Sequence, residues 1–216
     1  MYSTRSLFKA LLALLLFLPV SAAFAEAGKH NAPPLRSASD ISDSPSSNPY
    51  LSLRIPKPGS VAPGIQVKTA EGTTLTLTQY KGKKNVVLVF YQGHFCSVCA
   101  HQLANLQSHY GDFKLQEAEI IAISADSQYL ALRTQGELGL SFPVVPDSAK
   151  SIIARYGVAN VAKQGIAWPS AFIIDKQGKL RFSYADSRGH RLHSNELLSQ
   201  LSNITGKPSP SLGYEE

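Results

Sequence analysis

The chain has 216 residues, of which 44% are hydrophobic and 17% charged, with two cysteines and a formal charge of +6. That length suits one domain with appendages, the apolar fraction excludes a disordered chain, and two cysteines are too few for a disulfide-framework mini-protein. The basic residues are scattered without a long run, so no nucleic-acid partner is expected, and no apolar run reaches the roughly 18–20 residues that span a bilayer.

In chain order, Arg5 and Lys9 precede an apolar run, Ala10 to Val20, that Pro19 breaks, and Ala23-Phe24-Ala25 supplies small residues at the −3 and −1 sites. This is the pattern of an export signal over residues 1–25, cleaved before Glu26. No cysteine follows the run, so a lipid anchor is not indicated. The mature chain is expected in the periplasm or secreted, with no stable membrane insertion once the signal is removed. Residues 26–55 are rich in Ser, Pro, Ala and Asn and show no apolar periodicity, which predicts a flexible linker or tail. Residues 206–216 read the same way, leaving one domain over residues 56–205.

Within that domain, residues 65–69 and 73–77 alternate apolar and polar around Glu71-Gly72, the pattern of a hairpin. Residues 85–91 (NVVLVFY) form a continuous β-branched run, as in a strand buried on both faces. The spacing of Leu103, Leu106 and Tyr110 predicts a helix over 97–110. Residues 118–124 (AEIIAIS) predict a second buried strand, followed by a helix over 127–138, a short strand near 142–145 and a helix over 149–156 closed by Gly157. Strands over 170–175 and 180–184 flank a turn at 176–179. Ser194 is expected to N-cap a last helix to Leu201. Strands alternating with helices, then a hairpin, predict an α/β fold with a mixed central sheet flanked by helices.

Both cysteines lie in one C-x-x-C, in the stretch FYQGHFCSVC. A buried strand ends near Tyr91, a Gly-containing turn follows, and a helix begins at the pair. Cys96 then falls at a helix N-terminus, where unpaired N–H groups and the positive end of the dipole favour a thiolate. Cys99 lies one turn further along the same side, within disulfide reach. Three uses are open. A structural disulfide closing so short a loop would contribute only about 2 kcal/mol. A metal site would find two soft ligands here, with His94 and His101 nearby, but no second C-x-x-C to complete a zinc set; Cu(I), which thiolates favour, remains the metal alternative. A redox pair fits the strand–turn–helix setting best.

With those residues in view, the chain resembles the peroxiredoxin-like (alkyl hydroperoxide reductase/thiol-specific antioxidant) branch of the thioredoxin fold over about residues 58–203. PGSVAP at 58–63 resembles an opening G-x-x-A-P motif, and Gly72 with LTQYKGK at 77–83 resembles the stretch that follows it. FYQGHFCSVC resembles F-Y-R-G-x-W-C-P-x-C, departing at Gln92, Phe95 and Ser97. Ile123 to Asp126, Phe142-Pro143 and Trp168-Pro169 match further landmarks. The resemblance implies a thioredoxin fold with an N-terminal β-hairpin extension. It implies catalytic Cys96 and Cys99, joined as a disulfide when oxidised, substrate contacts at Trp168 and at a cis Pro169, and no cofactor or metal. On the peroxidatic pattern P-x-x-x-T-x-x-C, Cys99 takes the peroxidatic position, Cys96 the threonine position, and Pro169 the place of the family's arginine. A C-x-x-C with a proline before the last hairpin is more similar to a thioredoxin-type exchanger.

The expected activity is therefore thiol–disulfide exchange, with Cys96 attacking and Cys99 resolving. Hydroperoxide reduction is the alternative enzyme and Cu(I) binding the non-enzymatic one. The expected partners are a protein disulfide or hydroperoxide substrate and a reducing or oxidising thiol protein. His94, two residues before Cys96, can support a thiolate or carry a proton; a surface loop position is the plainer reading. Asp126 is expected to cap the following helix, and Arg191 resembles a family position near the last helix.

Overall fold

The structure is a computed structural model that describes residues 54–208. The expected export signal, nearly all of the expected linker and most of the C-terminal tail lie outside the described residues.

The elements are β1 (Gln66–Lys68), β2 (Thr74–Thr76), β3 (Asn85–Phe90), α1 (Ser97–Ser108), α2 (Tyr110–Leu115), β4 (Ala118–Ser124), α3 (Gln128–Glu137), β5 (Val144–Pro146), α4 (Ser151–Arg155), β6 (Ala159–Asn160), β7 (Ile166–Ala167), β8 (Ser170–Ile174), β9 (Leu180–Ala185) and α5 (Ser194–Thr205). Five of the strands form a central sheet in the order β5-β4-β3-β8-β9. β3, β4 and β5 run parallel, while β8 is antiparallel to β3 and β9 to β8. The mixed sheet expected from the sequence is the one found.

Every residue of β3 and β4 is buried, because both faces of the sheet are covered. Alternate side chains enter two cores. Val87, Val89, Ile120, Ala122 and Ile173 pack with Leu103 and Leu106 of α1, Phe113 of α2, and Leu197 and Leu201 of α5. Val86, Leu88, Phe90, Ile121, Ile123 and Phe172 pack with Ile152 and Ile153 of α4, with Tyr156, and with Ile65 and Leu75 from the ends of the β1–β2 hairpin. Each Val, Leu, Ile or Phe among them contributes about 1.5–3 kcal/mol by leaving water. The expected N-terminal hairpin is present, with Val67 opposite Leu75 and Gly72 at φ +85° in its turn.

Several boundaries differ from the sequence reading. The helix expected over 97–110 stops at Ser108, and the chain restarts as α2 after His109. The His109 Nδ1 lies 3.2 Å from Asp112 Oδ2, bracing the junction, and the break lets Tyr110 and Phe113 enter the same core as α1. His193, not Ser194, occupies the N-cap of α5: its N–H donates to Glu196 Oε2 at 2.8 Å, while the Ser194 N–H donates to Asn105 Oδ1 of α1 at 2.9 Å. The β6–β7 hairpin was not expected, since two-residue strands show no periodicity. Gly157 ends α4 as expected, at φ +65°, and a Cβ there would lie 2.4 Å from the Arg54 carbonyl oxygen.

Candidate active site

β3 delivers the chain to the site. The Tyr91 N–H still donates to Ile123 O at 3.0 Å; beyond it the chain leaves the sheet. Gly93 takes φ +149°, and a Cβ there would stand 2.8 Å from Asp126 Oδ1. The close approach is used: Asp126 Oδ2 accepts the His94 N–H at 2.8 Å and the Ser124 hydroxyl at 2.9 Å. Asp126 thus pins the loop before the cysteines. The cap expected of it belongs to Ser127, whose Oγ accepts the Leu130 N–H at 3.3 Å. A carboxylate buried at the end of β4 finds one donor in β4 itself and one across the sheet end in the β3 loop, while the next residue caps the helix.

Cys96 is the N-cap of α1, and its sulfur accepts the Cys99 N–H at 3.2 Å. The two cysteines form a disulfide with Cα atoms 5.2 Å apart. Cys99 is only 1% exposed, whereas Cys96 is half-buried and flanked by the exposed Phe95 and Val98. The pair therefore has an outer and an inner sulfur.

Arg191, in the β9–α5 loop, lies over both. Its Nη2 is 3.5 Å from Cys96 Sγ and 3.4 Å from Cys99 Sγ, and its Nη1 donates to Gly189 O at 2.6 Å. Burial pulls its pKa below the usual guanidinium value, yet a guanidinium stays charged wherever thiols titrate. Helix α1 holds this loop, since Gln102 Nε2 donates to Leu192 O at 2.8 Å. Tyr184 reaches the same loop from β9, its hydroxyl 2.9 Å from His190 Nδ1 and 3.3 Å from Asp186 Oδ2.

A small pocket of about 50 Å³ also borders the pair. Tyr91, His94, Thr134 and Glu137 line it together with Cys96 and Cys99. His94 is not a free loop residue. Its Nδ1 lies 3.1 Å from Thr134 Oγ1 and its Nε2 3.8 Å from Glu137 Oε2.

Trp168 and Pro169 sit at the same end of the sheet, because Ser170 pairs with Phe90. Pro169 is buried and Trp168 half-buried. The cis bond expected at Pro169 is not found; the described residues contain no cis peptide. The Trp168 N–H donates to Val158 O at 2.7 Å, and its carbonyl accepts the Ser170 hydroxyl at 2.7 Å. The β6–β7 hairpin, absent from the sequence reading, sets this geometry by continuing the ladder to Trp168. Among the described residues no group of three or more His, Cys, Asp or Glu is placed to hold a metal ion.

The sequence singled out the cysteines and His94, and the structure brings all three to one pocket. It did not find the contact of Arg191 with the sulfurs, 95 and 92 residues away in the chain, nor Thr134 and Glu137 of α3. No local pattern marks these residues; only their family-like spacing set Arg191 apart.

Residues 58–183 match the AhpC/TSA family. The chain is 31% identical over 166 residues to the chloroplastic 2-Cys peroxiredoxin BAS1 of Spinacia oleracea, covering 71% of this chain and 62% of that protein. It is 35% identical over 123 residues to the thiol-disulfide oxidoreductase ResA of Bacillus thuringiensis, covering 56% of this chain and 66% of that one. The chain thus spans less than two thirds of either relative. Among solved structures, peroxidoxin BcpB from Mycobacterium tuberculosis superposes with a TM-score of 0.63 at 19% identity, over 68% of this chain and 97% of that one. That likeness places the sheet and its helices in the peroxiredoxin-type thioredoxin fold.

Proposed function

The chain belongs to the AhpC/TSA family, and from that membership we propose that it is a thiol–disulfide oxidoreductase whose redox pair is Cys96 and Cys99. The observation that carries the reading is the set of positive groups on the outer sulfur. Cys96 Sγ receives the Cys99 N–H at 3.2 Å, sits at the N-terminus of α1, and lies 3.5 Å from Arg191 Nη2. A helix N-terminus is worth about 0.3–1 kcal/mol to a nearby anion, and an adjacent cation lowers an acidic pKa by roughly 1–3 units. Together they favour a Cys96 thiolate near neutral pH.

In the reduced protein, the Cys96 thiolate attacks one sulfur of a substrate disulfide. A Cys96–substrate bond forms, the substrate's own S–S bond breaks, and the departing sulfur leaves as a thiolate. Cys99 then attacks Cys96, releases the second substrate sulfur and regenerates the Cys96–Cys99 disulfide. Burial of Cys99 suits this order, since a substrate meets only the outer sulfur. The exposed Phe95 and Val98 flank Cys96 in the chain, and Trp168 and Pro169, at the same end of the sheet, are assigned to substrate contact with them. A partner thiol protein closes the cycle. The chain is read as exported by residues 1–25 and working in the periplasm or beyond, where disulfide substrates persist.

The test is reduction of insulin disulfides by the reduced mature chain. Activity is expected in the wild type and absent in Cys96→Ser; equal rates would end the reading. A reduction potential near about −270 mV would mark a reductant, and one near about −120 mV an oxidant.

Hydroperoxide reduction is the second reading, favoured by Arg191. Although Pro169 stands at the family's arginine position, a guanidinium reaches both sulfurs from the other side of the chain. Oxidation of the reduced protein by hydrogen peroxide well above the rate of free cysteine would support it.

A further inference from the structure

In the exchange cycle just proposed, on which this inference rests, Cys99 must lose a proton before it can attack. Cys99 is 1% exposed and packed in the apolar core with Leu103 and Leu106, and Arg191 Nη2, 3.4 Å from its sulfur, can stabilise a thiolate but cannot accept the proton. Water cannot reach it freely, so the proton needs an acceptor inside the fold.

The pocket beside Cys99 contains one. The Thr134 hydroxyl donates to Leu130 O at 3.1 Å, so its oxygen is left to accept from His94 Nδ1. That fixes the neutral ring with its proton on Nδ1 and its lone pair on Nε2. Nε2 lies 3.8 Å from Glu137 Oε2. Glu137 is in turn held by Arg133 Nε at 2.9 Å. The backbone of His94 is fixed by Asp126, so the ring has a set position.

The remaining polar lining also asks for a partner. Among the described residues Tyr91 Oη, which lies near Ser124, Asp126 and Thr134, is buried without a hydrogen-bond partner in good geometry, and burial pushes its pKa up to about 12, so its proton stays on. A buried water needs space for about one probe sphere and two to four polar partners. The pocket offers about 50 Å³ and the Tyr91 hydroxyl, His94 and the Cys99 sulfur on its walls.

The geometry points to His94 as the general base that deprotonates Cys99, through water held in the pocket of Tyr91, Thr134 and Glu137. The proton passes from Cys99 Sγ to His94 Nε2. The Cys99 thiolate attacks Cys96 Sγ, the Cys96–Cys99 bond forms, and the Cys96–substrate bond breaks. Its electron pair leaves on the substrate sulfur. Two electrons pass from the cysteine pair to the substrate, and His94 returns its proton to solvent. The charged groups around His94 are Glu137 and Arg133 of α3 and Asp126 of the β4–α3 loop, with Arg191 also over the sulfurs. His94 does not serve the Cys96 thiolate, which has Arg191 and the Cys99 N–H.

The experiment is stopped-flow reaction of the reduced mature chain with an aromatic disulfide whose released thiolate is coloured. The first equivalent reports attack by Cys96 and the second reports closure by Cys99. His94→Gln is expected to slow the second phase about tenfold or more at neutral pH. The first phase should stay within about twofold. Glu137→Gln and Thr134→Val, which keep the imidazole but each remove a group that faces it, should slow the second phase by smaller factors. A second phase in His94→Gln at the wild-type rate would overturn the inference, as would equal slowing of both phases. If the wild type releases no first equivalent faster than free cysteine, the exchange reading itself fails and this inference falls with it.

Discussion

At the end of the central sheet where β3 and β4 begin, polar groups meet as ion pairs, exposed at Glu117 and reaching inward at the buried Glu119. Glu117 lies 3.0 Å from Lys176 and 2.8 Å from Lys207, and Lys84 lies 2.8 Å from Glu119. At the end where the same strands finish, polar groups are buried and incompletely paired. Among the described residues Arg191 Nε, Gln102 Oε1 and Tyr91 Oη have no hydrogen-bond partner, and Arg191 Nη2 faces two sulfurs. One end pairs each of these carboxylates with a lysine that reaches solvent. The other holds charge and unspent hydrogen-bonding capacity in low dielectric, where each is worth more to a reacting atom. The strands are equally buried throughout, so the difference lies in the loops.

The sharpest way to break that contrast is at the outer sulfur. Cys96→Ser should bring disulfide reduction to background, while Cys99→Ser should accumulate a mixed disulfide with substrate, visible by mass spectrometry. Removing the buried charge comes next. Arg191→Met is expected to raise the pH midpoint of Cys96 alkylation by about 1–3 units, because the thiolate loses its cation. It should also make the reduction potential more negative, as the reduced pair loses that stabilisation. An unchanged midpoint would show that the guanidinium does not act on the sulfur.

A third substitution tests how the loop is held. Gly93→Ala places a Cβ against Asp126 Oδ1 in a backbone conformation that favours glycine, and should cost about 1–3 kcal/mol in denaturant unfolding. The smallest effect is expected at the opposite end. Lys207 and then Lys176 hold the Glu117 carboxyl down at about 2, against an ordinary 4.5. A depressed carboxylate pKa contributes stability above the unfolded value and loses it as pH falls through the folded one. Glu117→Gln should therefore melt slightly below the wild type at neutral pH. The gap should close between about pH 4.5 and 2, with redox rates untouched; it is small because the pair is solvent-exposed.

Much of this was legible beforehand. The β-branched runs of β3 and β4 and the helical spacing of α1 report burial, which hydrophobic patterning records directly. Gly93, Cys96 and Cys99 were readable because a strand end, a turn and a helix start are local events. The α1–α2 break was not, since it answers to the depth at which Tyr110 and Phe113 must pack. Nor was the trans Pro169, which the two-residue β6–β7 ladder positions through Trp168. Asp126 was read as a cap because its neighbours in sequence suggest one, whereas it accepts the N–H of a loop 32 residues earlier.

The α/β fold, the family likeness and the two sulfurs at a helix N-terminus follow from the amino-acid order, because each is written in short-range pattern and composition. Tertiary packing settles which sulfur faces solvent, which pocket His94 shares with the pair and what charge covers both. Those depend on where α3 and the β9–α5 loop cross the sheet end, and side chains 40 to 95 residues apart meet there through packing, which no periodicity encodes.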